Sequence, residues 1–161
     1  MTGRGKIVSR EELLRRAAAW RSAGESIALA NGIFDVLHVG HLRYLEGAAR
    51  EADRLVVAVN DDASTRALKG SGRPVVPQDE RAELIGGLAC VALVTLFGEP
   101  DVEPLLRALR PDVHCKGTDY TAETVPERQT ARELAIRVAI TGDPKDHATR
   151  EMIRRIRGDQ P

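Results

Sequence analysis

Short unbroken apolar runs alternate along the chain with longer stretches of helical periodicity. The first helical stretch opens at Ser9-Arg10-Glu11-Glu12, which reads as a capping box. It runs to about Arg21 with Leu13, Leu14, Ala17 and Ala18 as its apolar stripe, and Gly24 ends it. Ser26-Ile27-Ala28-Leu29-Ala30 is a short apolar run that meets Asn31-Gly32 at once. A helix pattern follows from near Val39 to about Ala52, with Leu42, Leu45, Ala48 and Ala49 on one side. Leu55-Val56-Val57-Ala58-Val59 is a continuous β-branched run of the kind buried on both faces in parallel sheets, and Asn60 ends it. A polar loop is expected from there to Pro77, then a helix over Glu80 to Leu88 and a strand over Val91 to Leu96.

The alternation continues with a short helix over Val102 to Leu109, closed by Arg110-Pro111, and a weaker strand at Val113-His114-Cys115. Pro126 to Leu134 is predicted helical, Ile136 to Ile140 a strand, and Thr149 to Arg157 a final helix. Strands alternating with helices predict one α/β domain, a doubly wound parallel sheet with helices on both faces in three layers. The 161 residues suit a single core, taken as one domain over 1–161 with an N-terminal helical extension, 1–24, packed on it. Such sheets bind ligands beyond the carboxyl ends of their strands.

Composition changes this picture little. Aromatic residues are only 3% of the chain, so the core must come from Leu, Val, Ile and Ala. The 24 basic and 24 acidic side chains cancel, and no global field favours nucleic acid. No apolar run approaches the roughly 20 residues of a membrane span. Met1 to Ser9 is polar and lacks the apolar segment of a secretory signal, so a cytoplasmic protein is expected. Cys90 and Cys115 both read as reduced core thiols, and no zinc-like ligand cluster is present in the sequence.

The chemistry concentrates in the first strand-to-helix turn, Asn31-Gly32-Ile33-Phe34-Asp35-Val36-Leu37-His38-Val39-Gly40-His41. On a helical first turn, His38 and His41 share a face at a helix N-terminus, where backbone N–H groups and the dipole favour an anion. Gly40 between them, and Gly32 at the strand end, have no side chain to obstruct an approaching phosphate. Lys69, in a Gly-flanked loop, is placed to clamp phosphate. Arg73 and Arg81 either hold a phosphate bidentately or pair with Asp79 or Glu83. Asp35 either contacts substrate hydroxyls or holds the turn through backbone N–H groups.

Asn31 to Asp35 running into His38-Val39-Gly40-His41 resembles the signature of the cytidylyltransferase-like nucleotidyltransferases. The resemblance continues at Ala58 to Ser64, Leu68-Lys69-Gly70, Arg73-Pro74-Val75 with Glu80-Arg81, Lys116 to Tyr120, and Thr149. Within the family the chain is most similar to the D-glycero-β-D-manno-heptose 1-phosphate adenylyltransferases, stand-alone or forming the C-terminal half of a bifunctional heptose enzyme. That likeness rests on the Arg-Pro-Val and Lys-Gly-x-Asp-Tyr blocks. It implies transfer of AMP from ATP, with Mg²⁺, to a sugar phosphate, and a homodimer. It also implies roles for His38, His41 and Lys69 in catalysis. Gly32, Ile33, Phe34, Gly40, Lys116, Gly117, Asp119 and Thr149 would hold the nucleotide, alongside the two histidines. Asp35, Asn60, Arg73 and Arg81 would hold the sugar phosphate, with Lys69. No protein side chain is assigned to the metal.

Two features depart from the family pattern. Ala148 replaces one of the usual hydroxyl residues before the last helix, where Lys145 and Arg150 offer charge instead. Leu134-Ala135-Ile136-Arg137 replaces a Gly-Gly pair before the final strand. Two other functions remain open on the sequence: a cytidylyltransferase for glycerol 3-phosphate or a similar alcohol phosphate, and a non-catalytic nucleotide-binding module.

Overall fold

The computed structural model describes residues 1–144 and 149–158, the latter without the side chains of Thr149 and Arg150. Five strands, β1 (Ile27–Gly32), β2 (Arg54–Asn60), β3 (Leu93–Phe97), β4 (Val113–Gly117) and β5 (Arg137–Thr141), form one sheet in the order β3-β2-β1-β4-β5. All pairs are parallel, and Gly32 lies opposite Val59, Asn60 opposite Phe97, and Gly117 opposite Thr141. The carboxyl ends therefore line up along one edge. The chain winds outward from β1 to β3 and then returns to place β4 on the other side of β1, so the switch point lies between β1 and β4.

The helices are α1 (Arg10–Ser22), α2 (Val39–Ala49), α3 (Asp62–Lys69), α4 (Gln78–Gly87), α5 (Glu103–Leu109), α6 (Arg128–Glu133) and α7 (Thr149–Arg157). Strand alternation divides the core in two. Ala28, Ala30, Val57, Val59, Val113 and Cys115 pack with Leu45 and Ala48 of α2 and Ala82 and Ile85 of α4. Ile27, Leu29, Val56 and Ala58 pack on the opposite face with Leu13 and Ala17 of α1, Leu105, Leu106 and Leu109 of α5, and Ala131 of α6. This is the doubly wound, three-layer α/β fold that the strand–helix alternation predicts.

Several local expectations are corrected. Ser9 caps α1 by accepting from the Glu12 N–H, but the Glu12 carboxylate turns to Arg15 and Arg16 rather than back to the cap. Ala18 is exposed, outside the apolar stripe, and Cys90 is only half-buried. The polar loop expected before Pro77 contains α3, capped by Asp61 accepting from the Ser64 N–H. That helix buries Ser64 and Thr65 instead of apolar residues, which is why its pattern reads as loop. Lys69 is thus the last residue of a helix, not part of a flexible loop, with Gly70 following at φ 91°.

Candidate functional site

The turn from β1 to α2 is held in unusual backbone geometry. Phe34 and the β-branched Val36 have φ of 53° and 54°, a region that costs such residues of order 1–3 kcal/mol each. Between them the buried Asp35 carboxylate reaches across the loop after α3. It accepts from the Val75 N–H at 2.9 Å, the Val76 N–H at 2.9 Å and Arg73 Nε at 2.6 Å. Burial alone would raise the Asp35 carboxyl, but these backbone donors and Arg73 outweigh it and hold it below the ordinary carboxylate range. Of the two roles open for Asp35, the structure shows the backbone-holding one, with the 73–76 segment as its target. Gly32 leaves room for Phe34, since a Cβ there would stand 3.1 Å from the ring.

His38 is the N-cap of α2 and His41 its third residue. His38 Nδ1 accepts from the Gly40 N–H at 3.1 Å, and His41 Nδ1 accepts from the His38 N–H at 3.4 Å. The two rings stack, with centroids 3.8 Å apart. The capping box thus takes up backbone donors that the sequence reading left open to an anion. With each Nδ1 accepting, the proton of the neutral ring sits on Nε2, and both residues line the cavity. Burial, and then the neighbouring His38, push His41 down to about 4, which favours the neutral ring over the imidazolium.

The cavity, about 830 Å³, lies over the carboxyl edge of the sheet. It brings together most of the sequence-derived residues: Gly32, Ile33, Phe34, Asn60, Lys69 and Arg73 line it on one side, Lys116, Gly117 and Asp119 on the other. Thr141 to Pro144 complete the rim, pinned by Arg43 to Asp143 at 2.7 Å and by the Thr118 hydroxyl to the Asp143 carbonyl at 2.7 Å. Gly47 of α2 allows this approach, because a Cβ there would meet Thr141 at 3.0 Å. Thr149 opens α7, while its side chain and residues Lys145 and Ala148 lie outside the described residues.

Arg81 must be corrected. It is wholly buried and pairs with neither Asp79 nor Glu83. Its guanidinium donates to the carbonyls of Val76, Ile33 and Asn60 and to Asp62 Oδ1, at 2.6 to 2.9 Å. That leaves it no surface to offer a sugar phosphate; it ties the ends of β1 and β2 to α4. Lys116 lines the cavity but lies 3.5 Å from the buried Glu127 and over the Tyr120 ring. The sequence reading missed Glu127, Asn31 and His114. A polar residue between Val113 and Cys115 in a core strand was the available signal for the last.

His114 is fully buried, and burial, then Lys116, push it down to about 3. Both His41 and His114 therefore titrate below their unfolded value of about 6.5. Between the folded and unfolded values the unfolded chain binds more protons, so stability is full above that value and falls on acidification. The melting temperature is expected to drop between pH 6.5 and 4. His114→Leu should flatten that slope by up to one proton, about 1.4 kcal/mol per pH unit. Thermal melts at half-unit intervals check it.

The profile of the cytidylyltransferase-like family matches residues 29–156. The chain is 40% identical over 94% of its length to the bifunctional protein HldE of Methylobacillus flagellatus, covering 31% of that protein. It is 42% identical to the protein of the same name from Acidiphilium cryptum, again over 94% of this chain and 31% of the relative. The chain therefore spans about a third of the length of these curated relatives. The crystal structure of the lipopolysaccharide core biosynthesis protein from Thermoplasma volcanium GSS1 superposes with a TM-score of 0.63 at 25% identity. It covers 76% of this chain and all of that one.

Proposed function

The chain belongs to the cytidylyltransferase-like family, and on that premise we propose that it transfers AMP from ATP to a sugar 1-phosphate, releasing pyrophosphate. The acceptor is D-glycero-D-manno-heptose 1-phosphate. The observation that carries the reading is the stacked His38–His41 pair at the N-terminus of α2, within a cavity of about 830 Å³. Its identity to the HldE proteins, and its likeness to a lipopolysaccharide core biosynthesis protein, support the choice of acceptor.

In this reading a phosphate oxygen of the sugar phosphate attacks the α-phosphorus in line. A new P–O bond forms, the bond from that phosphorus to the α–β bridging oxygen breaks, and pyrophosphate leaves with its electron pair. The nucleophile is already an anion, so no base is required, and catalysis is positioning plus charge stabilisation. His38 and His41 donate from Nε2 to the α- and β-phosphate oxygens as negative charge builds there. Lys69, at the mouth of the cavity, adds a cation against the same charge. Gly117 and Asp119 border the base, and the start of α7 at Thr149 meets the outer phosphates. Asn60 and Arg73 face the acceptor, while Asp35 and Arg81 act from behind to hold the elements that carry them.

Among the described residues no three His, Cys, Asp or Glu side chains converge into a metal site. Magnesium, carried by the ATP phosphates and water, would supply neutralisation of phosphate charge beside His38, His41 and Lys69. Among those residues no helix is long and apolar enough to cross a membrane. A cytoplasmic homodimer, each chain a single domain with the 1–24 extension on its surface, completes the proposal.

Pyrophosphate release with Mg²⁺ tests it, offering ATP or CTP with heptose 1-phosphate or glycerol 3-phosphate. Rapid release with ATP and the heptose phosphate alone is expected. Release with CTP and glycerol 3-phosphate would keep the chemistry and overturn the substrates. No release from any pair would overturn the enzyme reading for these acceptors.

A further inference from the structure

We propose that Asn31 recognises the acceptor and that His114, buried behind it, is the positioning residue that sets its carboxamide. The inference rests on the transfer reaction proposed above. Asn31 is the penultimate residue of β1 and His114 sits in β4, so the contact between them, His114 Nε2 to Asn31 Oδ1 at 3.0 Å, bridges the switch point of the sheet. Both side chains lie on the face shared with Leu29, away from α2.

The chemistry of the pair fixes its direction. A carboxamide oxygen only accepts, so His114 must carry its proton on Nε2. With Oδ1 committed, the Nδ2 group of Asn31, a pair of N–H donors, is the half of the carboxamide left to a ligand in the cavity it lines.

Packing does not account for the imidazole. His114 is 0% exposed between two core residues of its strand, and among the described residues its Nδ1 has no hydrogen-bond partner. A buried polar atom left unsatisfied is a destabilising feature that an aliphatic side chain of similar size would avoid. Among the described residues the one hydrogen-bond partner of the ring is Asn31. Burial keeps the ring neutral through the working pH range, so it orients by hydrogen bonding, not by charge.

The side of the cavity identifies the ligand. Asn31 lies in the central strand with its Oδ1 turned to β4, so its Nδ2 group is on the carboxamide branch toward β2. The end residue of β2, Asn60, also lines the cavity and donates to Ser64 Oγ at 3.3 Å. Lys69 and Arg73 close the same side, whereas Lys116 to Asp119 and Thr141 to Pro144 form the other, where the nucleotide is placed. A fixed, neutral pair of N–H donors there suits the hydroxyl oxygens of a polyhydroxylated phosphate ester.

The test is steady-state kinetics on the full chain, varying ATP and D-glycero-D-manno-heptose 1-phosphate separately. His114→Leu is expected to raise the KM for the sugar phosphate about tenfold, the equivalent of one hydrogen bond. The KM for ATP and kcat should stay within about twofold, and the melting temperature at pH 7.5 should not fall. Asn31→Ala should give the same rise, the double variant no further rise, and His114→Gln, which keeps an N–H donor, should recover wild-type values. Multiplying effects in the double variant, or an equal or larger shift in the KM for ATP, overturn the proposal. Should the leucine variant not fold, Asn31→Asp decides. It keeps an oxygen for His114 and removes the Nδ2 donors, so an unchanged KM for the sugar phosphate overturns the proposal. An inert wild type overturns the transfer reaction and this inference with it; an active wild type with unmoved variants overturns the inference alone.

Discussion

Replacing His41 by alanine is expected to lower kcat about 10²- to 10³-fold while ATP affinity changes only a few-fold. In the proposed transfer the ring does two jobs at different atoms. Nδ1 accepts from the His38 N–H and so helps fix the start of α2. Nε2 donates to the phosphates in that proposed transfer, and its hydrogen bond strengthens only as charge grows on the oxygens. An interaction made chiefly in the transition state appears in kcat, not in ground-state binding. His41→Gln separates the jobs, because glutamine at the third helical position can still reach back to the cap N–H. It should melt close to wild type and remain slow. Pyrophosphate release gives the rate, and titration with a non-hydrolysable ATP analogue gives the affinity. A variant that binds and turns over like wild type would remove His41 from the chemistry.

The legible and illegible parts of this chain differ in what stabilises them. The strands were visible because burial on both faces demands unbroken apolar runs such as Leu55 to Val59. The doubly wound parallel class followed from the alternation of strands and helices, while the order β3-β2-β1-β4-β5 was given by the structure alone. Helix α3 escaped because its start is fixed by the Asp61 cap and its buried positions are Ser64 and Thr65. The histidine pair could be placed at a helix start, but not its internal bonding. Whether Nδ1 or Nε2 faces the ligand depends on which backbone N–H each ring caps, and spacing alone does not decide that. Asp35, Arg81 and His114 were opaque for a further reason. Apart from Val76, five residues from Arg81, their partners lie 19 to 83 residues away in sequence, so Asp35 and Arg81 near the motif were open to reading as ligand contacts and His114 went unassigned. Burial turned each into a support.

Arg81→Met is expected to lower stability by about 3–5 kcal/mol, the usual cost of removing one member of a buried charged network. At roughly 2–4 °C per kcal/mol for a chain of this size, the melting temperature should fall by about 6–20 °C. Methionine fills comparable volume, so the loss does not come from a cavity. It comes from three carbonyls, of Val76, Ile33 and Asn60, and from Asp62, all deprived of their donor. Arg81→Lys should rescue little, because one ammonium cannot span four acceptors on three segments as the planar guanidinium does. Asp62 is partly exposed and can turn to water, so adding Asp62→Asn to Arg81→Met should recover only a small part of the loss. The Ile33 and Asn60 carbonyls mark the ends of β1 and β2 at the cavity, and turnover should fall even at temperatures where the variant stays folded. Urea denaturation beside a pyrophosphate assay resolves the two effects. A variant that melts like wild type but loses affinity for the sugar phosphate would put the guanidinium back at the substrate, against the burial seen in this fold.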